Sequence, residues 1–180
     1  MTGKKNVFAI IGSASFNSSN LKLVQKFAQL TQEELIVTIF GDLKKLLHFD
    51  PEQSVENTPQ SILEFRESIQ KADGILICTP EYVFSIPSGL KNAIEWCVST
   101  TVFSQKPTGI ITASANGQKG HEELKMIMKT VGAHFTEQTT LLIQGIKSKI
   151  NEQGIITDAK TETELLHFTN AYKNLLDNKE

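Results

Sequence analysis

Short apolar runs alternate along this chain with longer stretches in which apolar residues recur every three or four positions. The runs predict strands over residues 6–11, 34–40, 74–79, 108–113 and 135–142. Three of them are nearly continuous in apolar or β-branched residues, as strands buried on both faces are. Helical spacing fills the intervals. Leu21, Val24 and Ala28 share one face, and Ile62, Phe65, Ile69 and Ala72 share another. Leu124, Ile127, Met128 and Val131 follow the same period, and a last helix from about Asp158 carries Leu165, Phe168, Tyr172 and Leu175.

Strands that alternate with helices give a parallel sheet covered on both faces. Right-handed crossovers then favour a doubly wound, three-layer α/β sandwich with five parallel strands. In such sheets ligands bind beyond the carboxyl ends of the strands, near a topological switch point. The loops after the first, third and fourth strands are where chemistry is expected. Residues 41–58 read as an irregular connection, with Asp50-Pro51 as a turn.

Composition narrows the class without naming a function. The 180 residues suit one domain, 1–180, able to bury roughly 70% of its unfolded surface. A net charge of −2 argues against a nucleic-acid or anionic-membrane partner. Cys78 and Cys97 form no CxxC pair and read as buried, reduced thiols in a cytoplasmic protein. The apolar run after Met1–Lys5 is too short for a signal-peptide core, and no stretch reaches the ~20 apolar residues that cross a bilayer. His48, His121, His134 and His167 lack metal-ligand spacing and read as exposed or structural.

The first loop, GSASFNSSN at 12–20, is neither a Walker loop nor a GxGxxG turn. It is rich in hydroxyl and amide groups: Ser13, Ser15, Asn17, Ser18, Ser19 and Asn20. At a helix N-terminus such a loop can hold a phosphate through backbone N–H groups, hydroxyls and the helix dipole, without a lysine. The plainer alternative is that Ser18 or Ser19 caps the helix and the rest is a polar turn.

The second loop lies in TPEYVFSIPSGLKNAIEW, residues 79–96. A helix is expected to start around Pro87 or Ser88. Pro80, Glu81, Tyr82, Val83, Phe84 and Ser85 then bridge the top of the sheet. Their backbone can bond the polar edge of a flat heterocycle, while Tyr82 and Phe84 wall its face. The third loop brings Ser114, Asn116 and Gly117 to the same edge, where a polar surface turn is the simpler reading.

Together these loops resemble the NADPH-dependent FMN reductase family, a branch of the flavodoxin-like fold. Gly12, Ser13, Ser18 and Asn20 match its Gly-Ser-x-Arg-x-x-Ser-x-Asn phosphate loop. Pro80, Glu81, Tyr82, Ser85 and Pro87 match its Pro-Glu-Tyr-Asn-x-Ser-x-Pro stretch, followed by Leu90, Lys91, Asn92, Ala93, Ile94 and Trp96. The resemblance covers roughly residues 5 to 145. It implies an FMN-dependent enzyme that takes hydride from NADPH or NADH and passes it to a small-molecule acceptor: a quinone, azo dye, metal oxyanion or free flavin. It also implies that the third loop closes over the flavin ring, that no side chain acts as nucleophile, and that the protein is a homodimer or homotetramer. Trp96 reads as core, with a subunit contact as the family's alternative. Glu81 reads as a loop-ordering group.

Two positions depart from the pattern. Ser15 stands where the family has arginine, a charge that could meet the FMN phosphate or a nearby NADPH phosphate, and its loss predicts weak discrimination between NADPH and NADH. Val83 stands where it has asparagine, and an asparagine restored there is expected to tighten FMN. Two other classes share the fold: a non-enzymatic electron carrier, against which the weak net charge argues, and a regulatory protein that no longer binds flavin.

Overall fold

The computed structural model describes residues 3–15 and 17–177. Five parallel strands, β1 (Lys5–Ile11), β2 (Leu35–Phe40), β3 (Gly74–Thr79), β4 (Thr108–Ser114) and β5 (Thr140–Gln144), lie in the order β2-β1-β3-β4-β5. That order, all parallel, is the flavodoxin-like arrangement, and its switch point falls between β1 and β3. Every residue of β3 is buried, which explains its unbroken apolar run.

Helices α1 (Ser19–Thr31) and α5 (Ala159–Asp177) cover one face. Helices α2 (Gln60–Lys71), α3 (Ser88–Glu95) and α4 (Gln118–Thr130) cover the other. Alternate strand residues feed the two cores: Val7, Ala9 and Ile11 face α1 and α5, while Phe8 and Ile10 face α2 and α3. No helix among the described residues is long and apolar enough to cross a membrane.

Two expectations need correction. The last strand is shorter and later than its apolar pattern suggests. Residues 135–139 instead turn through a short 3-10 helix, Glu137–Thr139, closed by a reciprocal bond pair between Thr136 and Thr139. Threonine hydroxyls there satisfy the backbone locally and compete with the sheet ladder. In α1 the buried set is Asn20, Leu23, Val24, Phe27 and Thr31, whereas Leu21 and Ala28 are only half-buried. Phe27 turns the helix inward, because its ring meets Tyr172 and Phe168 of α5 at centroid distances of 6.0 and 6.4 Å.

The irregular connection after β2 is pinned from α3. Asn92 accepts from the Phe49 amide at 2.7 Å and donates to the Leu47 carbonyl at 2.9 Å, to which Trp96 Nε1 also donates at 2.7 Å. Trp96 is fully buried, so it is a core residue. Arg66 is buried as well, and its guanidinium donates to the carbonyls of Trp96 and Ser54 and to the hydroxyls of Ser54 and Ser99. One cation thus ties α2, the connection and the end of α3 together, with no carboxylate partner among the described residues.

Candidate functional site

The first loop leaves β1 through Gly12, whose N–H donates to the Cys78 carbonyl at 2.8 Å. Ser13 is buried, and its Oγ accepts from the Ser15 amide at 3.2 Å, which curls the loop. Ser18 is the N-cap of α1 and accepts from the Leu21 amide at 3.1 Å. With Leu21 served, the first helical amides, those of Ser19 and Asn20, have no acceptor among the described residues. The capping reading is realised, with Ser18 setting the start of the helix, and the same loop lines an open cleft.

Asn20 is held more firmly than its place in the loop suggested. It is buried, with Nδ2 donating to the Ala113 carbonyl at 3.2 Å and Oδ1 accepting from the Cys78 thiol at 3.3 Å. Its side chain spans β3 and β4 and positions the start of α1. Cys78 itself is fully buried, and that burial pushes its thiol far above the ordinary range, so it is no nucleophile. Cys97 is pushed up to about 12 for the same reason.

The second loop is a two-residue hairpin. Tyr82 N donates to the Ser85 carbonyl at 2.9 Å, and Ser85 N donates to Tyr82 O at 3.1 Å. Between them Val83 and Phe84 sit at φ 53° and 58°, the geometry of a type I′ turn. Both side chains point into solvent, Val83 at 94% exposure and Phe84 at 72%. The backbone of Tyr82 and Ser85 is thus spent within the hairpin, and Phe84 does not wall the cleft; Tyr82 does.

Glu81 and Glu123 brace this loop from opposite directions. The Glu81 carboxylate accepts from Gly120 N at 2.8 Å and Gly117 N at 3.3 Å, capping α4 from outside its own chain segment. Glu123 on α4 accepts in return from Ile86 N at 3.0 Å. Gly117 holds the helix entry at φ 86°, and a Cβ there would crowd Leu142 and Thr112. The loop-ordering role expected of Glu81 is what its bonds show. In the first turn of α4, half-buried His121 meets the Thr112 hydroxyl at 2.9 Å, and burial, with Lys125 adding to it, lowers its pKa to about 4. It is a neutral, structural histidine near pH 7.

These loops enclose a cleft of ≈ 650 Å³ at the carboxyl edge of the sheet. Its walls are the first loop (Ser13, Ser15, Asn17, Ser18, Ser19 and Asn20), Pro80 and Tyr82, Ala113 to Ala115, and Gly145 to Ser148. A smaller cavity of ≈ 280 Å³ lies across Ser13 and Tyr82, toward Gly41–Lys44 and Pro87–Gly89. Of the positions singled out in the sequence, Glu81, Val83, Phe84, Ser85, Asn116 and Gly117 line neither cavity. Asn116 instead accepts from Gln144 Nε2 at 2.9 Å. The sequence reading missed Gly145 to Ser148, because it ended the last strand at 142, two residues short of the carboxyl edge.

The donor set of the larger cleft fits a phosphate at one end and a flat ring at the other. Hydroxyls and the N-terminus of α1 gather in the first loop, while Tyr82, Pro80 and Ala113 supply apolar surface. A five-stranded sheet of this order, with such a cleft at its switch point, defines a flavodoxin-like nucleotide-binding protein. The chain belongs to the NADPH-dependent FMN reductase family, whose model it matches over residues 6–147. It is 29% identical over 170 residues to a quinone reductase of Escherichia coli strain K12, covering 89% of each chain. It is 28% identical to an NADPH:quinone oxidoreductase of Arabidopsis thaliana, covering 88% of this chain and 85% of the relative. Among solved structures it resembles FerB, a flavoenzyme NAD(P)H:(acceptor) oxidoreductase from Paracoccus denitrificans. There the TM-score is 0.83 at 25% identity, over 96% of this chain and 97% of that one.

Val83 now has a different meaning from the one its place in the motif suggested. Its side chain lies at the tip of the hairpin, outside both cavities, so an asparagine there is not placed to contact a bound ring. A β-branched residue at positive φ is strained by roughly 1–2 kcal/mol, whereas asparagine tolerates that region. Val83→Asn is therefore expected to raise stability by about 1 kcal/mol in a chemical melt while leaving flavin affinity within twofold. A destabilised variant would show that the turn is not type I′ in solution.

Proposed function

We propose that the protein is an FMN-dependent NAD(P)H oxidoreductase that reduces quinones, azo compounds or related small acceptors, with FMN seated in the larger cleft. The observation that carries this is the first loop, whose serine hydroxyls, asparagine amides and helix N-terminus line the cleft as neutral donors for a terminal phosphate. Quinone reductase relatives and a matching flavoenzyme structure support the same reading. Bound FMN supplies the two-electron chemistry, accepting hydride from a nicotinamide and giving electrons to the acceptor.

The protein's own contribution is position. Ser13, Ser15, Ser18 and Ser19 hold the phosphate end, with Asn20 fixing the loop beneath them. Pro80 and Tyr82 form one wall of the ring site, and Ser114 lies beside them, its Oγ reaching the Glu81 carbonyl at 3.4 Å. Glu81, Ser85, Asn116 and Gly117 act from behind, by fixing the second and third loops to α4 and β5. With no side-chain acid or nucleophile required, donor and acceptor share one open face in turn. The working form is a homo-oligomer, a dimer or tetramer, in the cytoplasm; the exposed Val83-Phe84 tip beside the cleft suits a subunit contact.

Steady-state kinetics test this reading. Varied NAD(P)H against benzoquinone is expected to give parallel double-reciprocal lines. Without the loop arginine, the kcat/KM ratio of NADPH to NADH is expected below about 100, or ~2.7 kcal/mol. Intersecting lines would contradict the shared face, and no NAD(P)H oxidation by FMN-loaded protein would favour a non-enzymatic flavin binder.

A further inference from the structure

Lys147 is the only charged side chain among the described residues that line the larger cleft. It lies on a short 3-10 turn, Ile146–Ser148, directly beyond β5, and lines the same cleft as the first loop. That turn is firmly seated. Gly145 enters it at φ 65° and donates to the Ala115 carbonyl at 3.0 Å, Ser148 bonds back to Gly145, and Ile146 is buried. The lysine side chain is exposed and has no ion pair or hydrogen bond among the described residues. Lys119, on the third-loop side, is paired with Glu122 at 3.0 Å and lies outside the cleft, and Lys44 lines the smaller cavity instead.

We infer that Lys147 is the cofactor-phosphate cation of this protein, a charge placed at the end of β5 instead of at the position of Ser15, where the family has arginine. The inference rests on the proposed FMN site. A phosphomonoester carries close to two negative charges at neutral pH, and hydroxyls with helix amides compensate only part of them. The cleft holds no carboxylate that would compete for the lysine. Lysine suits the task as a long, flexible point charge that reaches a phosphate without fixed fork geometry. Moving the cation also clears the first loop, so that Ser15 opens the cleft mouth where an arginine would occupy it.

The test is a calorimetric titration of apoprotein with FMN and with riboflavin, for wild type and Lys147→Gln, at low and high salt. Lys147→Gln is expected to weaken FMN about fivefold at low salt, with the gap closing as salt screens the charge, and to leave riboflavin and the melting temperature unchanged. Adding Ser15→Arg to Lys147→Gln is expected to restore FMN affinity. Unchanged FMN affinity in Lys147→Gln, or an equal loss of riboflavin, would overturn the assignment. A wild type that binds riboflavin as tightly as FMN would overturn the phosphate site itself, a failure distinct from that of the lysine.

Discussion

Gly12→Ala is expected to cost about 3 kcal/mol of stability, the upper end of the usual overpacking penalty, and to weaken FMN by an order of magnitude or more. Gly12 is the last residue before the first loop turns away from the sheet. A Cβ there would run into Thr79 Oγ1, approach Thr79 Cβ to 2.6 Å and touch Leu90 Cδ2 at 3.0 Å. Thr79 is fully buried at the end of β3 and Leu90 is fully buried in α3, so neither can retreat without opening the core. The relief available is a shift of the first loop itself, which would move Ser13 and its bond to Ser15. Gly41→Ala is the matched control, because the nearest atom to its Cβ would be Ile11 Cγ1 at 3.9 Å. Urea melts and FMN titrations of the two variants give the comparison. Equal behaviour would mean that the junction of β1 and the loop is looser than its packing shows.

Glu81→Gln carries the second large effect, about 2 kcal/mol in stability with a parallel loss of flavin affinity. The carboxylate accepts from two amides, those of Gly120 and Gly117, at the positive end of α4. Hydrogen bonds to a charged group contribute about 1.5–3 kcal/mol each when their removal leaves partners unmet. Glutamine keeps the shape but has one acceptor oxygen, so its amide group must face a second N–H. The same residue is the start of the hairpin that carries Tyr82, and Ser114 Oγ reaches its carbonyl at 3.4 Å. Releasing it therefore loosens the second and third loops together. Amide exchange at Gly117 and Gly120 reads this directly: faster exchange is expected, and unchanged protection would place the capping elsewhere.

Much of this was legible in the sequence because local pattern and tertiary need coincide. The run Gly74–Thr79 is buried on both faces, and its limits follow from composition alone. Pro87 precedes α3 as its N-cap residue, one position before the helix, where its missing N–H costs nothing. The hydroxyl-rich first loop gave the cleft wall, since six of its residues line it. What escaped depended on distance in space. Arg66 looks like a surface arginine in α2, and only the fold brings the Trp96 carbonyl, 30 residues away, onto its guanidinium. Lys147 escaped because apolar periodicity ended the last strand at 142, whereas β5 runs to Gln144 and the turn beyond it lines the cleft. At Val83 the local preference is overridden: the hairpin closes through Tyr82 and Ser85, and valine takes the left-handed backbone that closure demands.

The central claim is that the larger cleft seats FMN in a form that a nicotinamide can reduce and a small acceptor can reoxidise. The measurement that tests it most directly is anaerobic addition of one equivalent of NADH or NADPH to the FMN-loaded protein, followed by one equivalent of benzoquinone. Loss of the flavin's visible absorption on the first addition and its full return on the second are expected, with Gly12→Ala failing to retain the cofactor through gel filtration. Flavin that stays bound but unreduced by either nucleotide, or a wild type that cannot be loaded with FMN at all, would contradict the account.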